Sequence, residues 1–268
     1  MGVSTISLGL GLGGGRSATS SGTPSGGGFL NTYSVNFDKT DDFCGVSSDP
    51  GLSVYALSCW FKPSSVINSS YLGTLVGGWG GPTYTTYAGI RIGMGAGRTL
   101  EFNDGLQYIS AGDITSINTN WHHCLVNFVN SGYQTVSDPA VASNNGKGYE
   151  IWLDGTRVDT VLGSTSHNFS LGVTTNKFKL AREGERTLYY FGGLMDEVAI
   201  FGSSLSSSEI SAIYNSGVPT DLTDYSPSLW WRMGDNDGGT GTTITDQGSG
   251  GNDGTLTDGP TFSTTVPA

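Results

Sequence analysis

Residues 191–217 constrain the fold most. Val198 and Ile200 alternate with Ala199 and Phe201, the two-residue period of a strand with two distinct faces. Gly202, Ser203 and Ser204 break that pattern. Ser206 followed by Glu209 is a capping box, in which the hydroxyl accepts from a helix N–H and the carboxylate accepts from the cap N–H. Ile210, Ile213 and Tyr214 then make one apolar stripe, and Gly217 offers a left-handed stop. A helix near 207–215 is too short to be stable alone, so it must dock on a surface that is already folded.

The remaining pattern supplies that surface as strands. In residues 55–63, Leu57, Cys59 and Phe61 share one face while Ser58, Trp60 and Lys62 share the other. In residues 121–128, Cys124, Val126 and Phe128 oppose His123, Leu125 and Asn127; in residues 149–158, Ile151 and Leu153 oppose Glu150 and Trp152. The first-named sets are expected between two sheets and the second sets on an outer, concave face. Val35 and Phe37 share a face in the opening strand, residues 38–42 form a turn, and Phe43 is expected to begin its hairpin partner. Asp154-Gly155 is a strong hairpin turn. The 43 glycines and 13% charged residues fit many turns and a weakly charged surface.

Five segments, residues 33–43, 57–63, 121–128, 149–158 and 192–217, resemble in order the laminin-G-like jelly rolls of the concanavalin A-like lectin/glucanase group. The resemblance implies an all-β, two-sheet antiparallel jelly-roll sandwich with one short helix near 207–215, in a family that hosts many functions. In that family a tryptophan strand, an Asp- and Gly-rich loop and a Gly-Thr-Leu segment usually precede the first matching strand. Here they stand at the end, in residues 228–256. Either they are a strand pair rotated to the C-terminus of one sandwich, or they begin a second domain. About forty residues cannot bury a core of their own, which favours the first. The expected organisation is an anchoring arm over residues 1–28 and a sandwich over 29–268, completed by strands from 228–268.

The arm is rich in Gly and Ser and begins with the apolar positions Val3, Ile6, Leu8, Leu10 and Leu12. Its Gly9-x-Gly11-x-x-Gly14 pattern is not a dinucleotide site, since no helix pattern follows and no acid sits about 20 residues on. The segment lacks the basic start of a signal peptide. Val3, Ile6, Leu8 and Leu10 are expected to be assembly contacts, docked on a neighbouring subunit. A net charge of −11 argues against nucleic acid, which is bound through clustered Lys and Arg. No apolar run has the length of a membrane span. Cys44, Cys59 and Cys124 have no CxxC spacing and are expected to be buried free thiols.

Catalysis is not expected. The glucanase branch carries Glu-x-Asp-x-x-Glu on one strand, and neither Asp196-Glu197 nor Glu183-x-Glu185 has the third acid. Strand parity sends Asp196 and Glu197 to opposite faces, and does the same to His122 and His123. Structural calcium is a candidate cofactor, because a hard ion takes loop carbonyls and carboxylates. Resemblance to calcium-bearing members of the family points to Asp196 with Asp246 and Asn252 as ligands; the alternative is Asp–Gly turn chemistry in which Asp and Asn bond their own backbone. For glycan binding, Trp79, Tyr84 and Tyr87 lie on a Gly-rich loop, with Trp60 and Trp152 on the outer face; the alternative is that the sheet tryptophans fill a curved sheet.

These features, with the resemblance, lead to the expectation of a bacteriophage virion structural protein, a capsid decoration or a tail or fibre component assembled in the host cytoplasm. Its partners would be other virion proteins, further copies of itself and host cell-surface polysaccharide. The alternative is a freestanding glycan-binding lectin module, with a glycoside hydrolase behind both.

Overall fold

A computed structural model describes residues 29–46, 54–65, 73–78, 88–93, 99–104, 108–111, 116–129, 148–162, 178–183 and 189–268. The arm residues Val3, Ile6, Leu8 and Leu10 and the loop aromatics Trp79, Tyr84 and Tyr87 lie outside the described residues. In chain order the strands are β1 (Ser34–Asp38), β2 (Phe43–Val46), β3 (Ala56–Pro63), β4 (Gly73–Gly78), β5 (Ala88–Gly93), β6 (Thr99–Asp104), β7 (Tyr108–Ala111), β8 (His122–Val129), β9 (Gly148–Leu153), β10 (Thr156–Arg157), β11 (Asp159–Leu162), β12 (Phe178–Leu180), β13 (Gly192–Phe201), β14 (Leu229–Trp231), β15 (Thr243–Ile244), β16 (Gly254–Thr257) and β17 (Thr261–Ser263). The helix is α1 (Ser207–Tyr214).

The strands form two antiparallel sheets. The first runs β10-β9-β8-β3-β13-β1-β17, with β14 also paired to β13; the second runs β11-β7-β6-β5-β4-β12-β2-β16-β15. Between them lies one apolar layer, to which the first sheet sends Leu57, Cys59, Phe61, Cys124, Val126, Phe128, Ile151 and Leu153. The second sheet meets it with Cys44, Leu75, Leu100, Phe102, Phe178 and Leu180. All three cysteines are buried and free, and burial pushes the Cys59 thiol up to about 12.

The turn after β1 does not close a hairpin. Lys39 takes φ +72°, the carboxylate of Asp38 accepts from the N–H groups of Thr40 and Asp41, and the chain crosses to the other sheet. Phe43 therefore opens a strand paired with β12 and β16, while β1 pairs with β13 and β17. The four-residue link from 39 to 42 is longer than the two-residue primed turn that would return the chain beside itself. Val35 and Phe37 then face Cys44 and Val46 within one core. The C-terminal strands join both layers: β14 pairs with β13, β16 with β2, and β17 with β1.

Ser206 caps α1. Its Oγ accepts from the Glu209 N–H, and the Glu209 carboxylate accepts from the Ser206 N–H at 2.7 Å. The stop comes two residues before the expected glycine. Asn215 takes the left-handed conformation at φ 45°, ψ 46°, and Gly217 (φ +103°) follows in a short 3-10 turn. Asparagine tolerates that region because its short polar side chain bonds locally.

A β-bulge changes the expected parity of β13. Asp196 lies opposite Trp60 and Ala199 opposite Ser58, so one extra residue is inserted, and Glu197 takes φ 45°. Met195 and Val198 consequently both enter the inter-sheet core. Asp196 and Glu197 are not split between the two faces by simple alternation. They sit together where β1 and β14, both hydrogen-bonded to β13, leave a gap between Met195 and Val198.

Candidate functional site

The outer face of the first sheet is built in rows across its strands. Ala56, Asn127 and Glu150 form one row; Ala199, Ser58, Leu125 and Trp152 the next; Trp60, His123 and Asp154 the third. The second-named residues line this outer face as expected, but its middle is covered. Ile210 and Ile213 of α1, with Leu205 and Leu222, pack on Ala56, Leu125, Ala199, Phe201 and Trp230. The apolar stripe of a two-turn helix finds its cover here, and the helix hides the middle of the sheet.

At its C-terminal end the helix presents Tyr214, which stacks on Trp60 at 6.0 Å and on His123 at 5.9 Å. The Ser58 hydroxyl bonds His123 Nε2 at 2.8 Å. Burial pushes His123 down to about 4, against the opposing pull of Asp154, so the ring is neutral at physiological pH. Asp154 occupies the first position of the β9–β10 turn at φ 48°, followed by Gly155 at φ +73°. Gly155 is required twice, by that φ and by Tyr214, whose ring would lie 2.4 Å from an added Cβ. The Asp154 carboxylate accepts from His123 N (2.8 Å) and His122 Nδ1 (2.7 Å). His122 Nε2 accepts from Asn118 N, which places the ring proton on Nδ1. Asn118 Oδ1 in turn accepts from Asn120 N.

These contacts shape a cleft of about 410 Å³ whose walls include Trp60, Lys62, Asn120, Trp121, Asp154 and Tyr214. Trp121 and Tyr214 are half-buried and Asn120 is exposed. The Trp121 indole N–H is buried without a hydrogen-bond partner among the described residues. The cleft thus joins ring faces to an amide, an ammonium and a carboxylate. Of these residues the sequence pattern marks Trp60 for glycan contact. Trp121 read as a strand residue, Asp154 as a turn and Tyr214 as part of the helix stripe. A usable signal was Tyr214 at the far end of a helix that has to lie on Trp60's face.

The three residues named as calcium ligands do not converge. The Asp246 carboxylate accepts from the N–H groups of Trp230, Gly248 and Asn252, each at 2.8 Å. The Asn252 carbonyl accepts from Trp231 Nε1. Trp231 pairs with Val198 on one side and Asp246 on the other, so β14 separates Asp246 from β13. Asp196 faces elsewhere, accepting from Asn31 Nδ2 (2.9 Å) and Glu197 N (2.9 Å). The arrangement at Asp246 and Asn252 is the backbone-bonding turn chemistry described above as the alternative. Among the described residues, one group of three acids, Asp38, Asp41 and Asp42, brings ligand atoms within 4.8 Å of one another. Asp38 and Asp42 are occupied in capping the turn after β1.

Asp196 and Glu197 belong to a buried cluster. Glu197 accepts from Trp230 Nε1 (2.6 Å) and Arg232 Nε (3.1 Å), and Arg232 also pairs with Asp235 at 3.2 Å. Asp235 accepts from the N–H groups of Thr32 and Tyr33. Arg232 donates to the Leu30 carbonyl and lies 4.3 Å over the Phe29 ring. Burial raises Glu197 to about 7, opposed by Arg232, and burial together with Glu197 raises Asp196 well above the usual carboxylate range. Both acids are buried, 0% and 2% exposed, so neither can flank a substrate. The Ser58–His123 pair has the geometry of a nucleophile and its base, but both side chains are buried, His123 against Tyr214 and Trp60, and Asp154 bonds His122 Nδ1.

A family model described as the concanavalin A-like lectin/glucanases superfamily, of laminin G type, matches residues 38–211. The chain belongs to this family, and its fold is a lectin-type jelly roll. No curated protein matches it. Among solved structures it is similar to a Bacteroides ovatus protein provisionally described as carbohydrate binding, with 18% identity and a TM-score of 0.57, over 89% of this chain and 62% of that one. It is also similar to domain 4 of AbnA, a GH43 extracellular arabinanase from Geobacillus stearothermophilus, solved with arabinotriose (14% identity, TM-score 0.44, 68% of this chain and 76% of that one). A third is a heptameric SAP-like pentraxin from Limulus polyphemus (12% identity, TM-score 0.43, 69% and 82%). The chain spans less than two thirds of the Bacteroides protein, and likeness at this identity shows the shared fold.

Proposed function

We propose that this is a non-catalytic carbohydrate-binding module whose ligand lies in the cleft at the C-terminal end of α1. One observation carries the reading: half-buried Trp121 and Tyr214 rings share one 410 Å³ depression with Asn120, Lys62 and Asp154. Sugars offer an apolar C–H face to an aromatic ring and a rim of hydroxyls to amides and carboxylates, and sites of this kind pair apolar walls with a few fixed polar groups. The rigid setting of Asp154, held by His122 and His123, lowers the ordering cost of binding. The named description of the Bacteroides protein supports the same reading. The test is affinity electrophoresis in gels containing soluble polysaccharides. Retardation by at least one, lost in Trp121→Ala and Asn120→Ala at unchanged melting temperature, is the expected result. Equal mobility in every gel overturns the reading.

Display on a virus particle, with residues 1–28 docked on a neighbouring subunit, gives this module a place to act. It is supported by the residues that follow the arm. Phe29 stacks on Trp230 at 6.3 Å beneath Arg232, and Asn31, Thr32 and Tyr33 are held by Asp196 and Asp235, so residues 29–33 are fixed on the sandwich. Deleting residues 2–28 should leave a folded module that no longer joins particles. Truncated protein recovered on purified particles overturns this placement.

A further inference from the structure

The cleft has a counterpart at the other end of α1. β9 points Glu150 and Trp152 outward, and the next outward position is Asp154, which walls the cleft. A second groove of about 360 Å³ opens at the other end of α1, with Asn127, Glu150, Trp152, Ser204, Leu205 and Ser207 among its walls. The two openings therefore flank the helix at its two ends and share the strand that carries Glu150, Trp152 and Asp154. From Glu150 to Asp154 the backbone advances about 13 Å at the usual rise of a strand.

The second groove is built rigidly. Asn127 accepts from Leu205 N and donates to Leu205 O, tying the start of the helical segment to β8. Trp152 Nε1 donates to Glu150 Oε2 at 3.2 Å, which fixes the plane of the indole. Arg157 donates to Glu150 Oε1 at 2.7 Å and grips both oxygens of Asp159. With its N–H committed, Trp152 keeps a half-buried ring face as its free surface, and the exposed Ser204 and Ser207 hydroxyls stand beside it. Along the strip the carboxylates of Glu150 and Asp154 are matched by the cations of Lys62 and Arg157, so neither sign prevails. That balance favours no charged polymer and suits a neutral, hydroxyl-rich ligand.

We propose that Trp152 and Glu150 form a second subsite, and that the ligand is a neutral polysaccharide chain lying along β9 beside α1 rather than a single terminal sugar. The proposal rests on the reading of the cleft as a carbohydrate site. A monosaccharide in the cleft cannot reach Trp152, whereas successive units of one chain engage both ring platforms. Linked contacts of this kind raise affinity with ligand length until both subsites are filled.

The test uses the full chain with arabinan, xyloglucan, mixed-linkage β-glucan and mannan, and with the mono- to hexasaccharides of whichever polymer binds. Calorimetry on wild type, Trp152→Ala, Trp152→Leu and Trp121→Ala reads affinity against length. Trp152→Leu keeps the apolar packing on the helix cluster while removing the flat ring, so a folding defect in Trp152→Ala does not blur the answer. The expected result is affinity that climbs with length, with loss of about tenfold or more on the hexasaccharide in both Trp152 variants and none on the monosaccharide. Hexasaccharide binding unchanged in both Trp152 variants, or equal affinity for mono- and hexasaccharide, overturns the second subsite while Trp121→Ala still marks the cleft. Binding unaffected by Trp121→Ala, or no binding of any neutral glycan by wild type, overturns the cleft reading and this inference with it.

Discussion

The two faces of the first sheet are both buried over their middle but differ in their chemistry. Toward the second sheet it presents Leu57, Cys59, Phe61, Cys124, Val126, Phe128 and Ile151, none of which needs a partner. Toward α1 the same strands present Ser58, His123 and Asn127, which are also buried but are each bound to a specific group: Ser58 to His123, His123 to Asp154 through its backbone N–H, Asn127 to Leu205. Apolar burial is non-directional and supplies cohesion. A buried polar group is costly unless its bonds are satisfied in a definite geometry, so the helix-covered face supplies position. The cleft lies on the second face.

The comparison is broken most strongly from the inner side. Phe61→Ala removes a fully buried ring from the inter-sheet layer and should cost about 3–5 kcal/mol in urea unfolding. On the polar side, Arg232→Met leaves Glu197 and Asp235 without their cation. Breaking one partner of a buried pair costs about 3–5 kcal/mol, and this should be seen at pH 8, with a clearly smaller loss at pH 5, where Glu197 is protonated. The sign follows from Glu197 itself. Its folded value is raised from 4.5 to about 7, so between those values the native state binds more protons than the unfolded chain and stability falls as pH rises. Relative to wild type, Glu197→Gln should flatten that slope, a change of about 3 kcal/mol between pH 4 and pH 8, read from urea midpoints. A wild-type curve that rises through this window in parallel with the variant would show the acid to be ionised throughout. The smallest effect is expected at Ser58→Ala, which strands a buried imidazole nitrogen and should cost about 1–3 kcal/mol with the inner layer unchanged. A loss as large as that at Phe61 would mean that the two faces do not divide cohesion from position.

Much of the sandwich could be read because its signals are local. The alternation in residues 57–61, 124–128 and 149–153 assigned the inner layer correctly, and the Ser206–Glu209 pair marked the start of α1. The hairpin at Asp154-Gly155 was visible for the same reason, since two adjacent left-handed residues leave a dipeptide signature. The failures all involve a second element. The link after β1 looked like a hairpin turn until a whole sheet was available to receive Phe43. Counting parity along β13 could not detect the bulge at Glu197, because the extra residue is accommodated by the gap between β1 and β14. At Asp246 and Asn252 the sequence fits both an oxygen ligand and a backbone-bonding turn, and the N–H bonds that Asp246 accepts from Trp230, Gly248 and Asn252 are visible only in the fold.

The sequence by itself determined the two-sheet body, its inner layer, the three buried thiols and the capped helix, because periodicity and capping act between residues close in the chain. Only the tertiary structure decided that α1 would close the outer face, that Trp60, Trp121, Asp154 and Tyr214 would meet at one cleft, and that Asp196 and Glu197 would share one buried cluster. Those meetings depend on which strands become neighbours and on how each buried polar atom is satisfied, and both are settled by contacts between residues far apart in the chain.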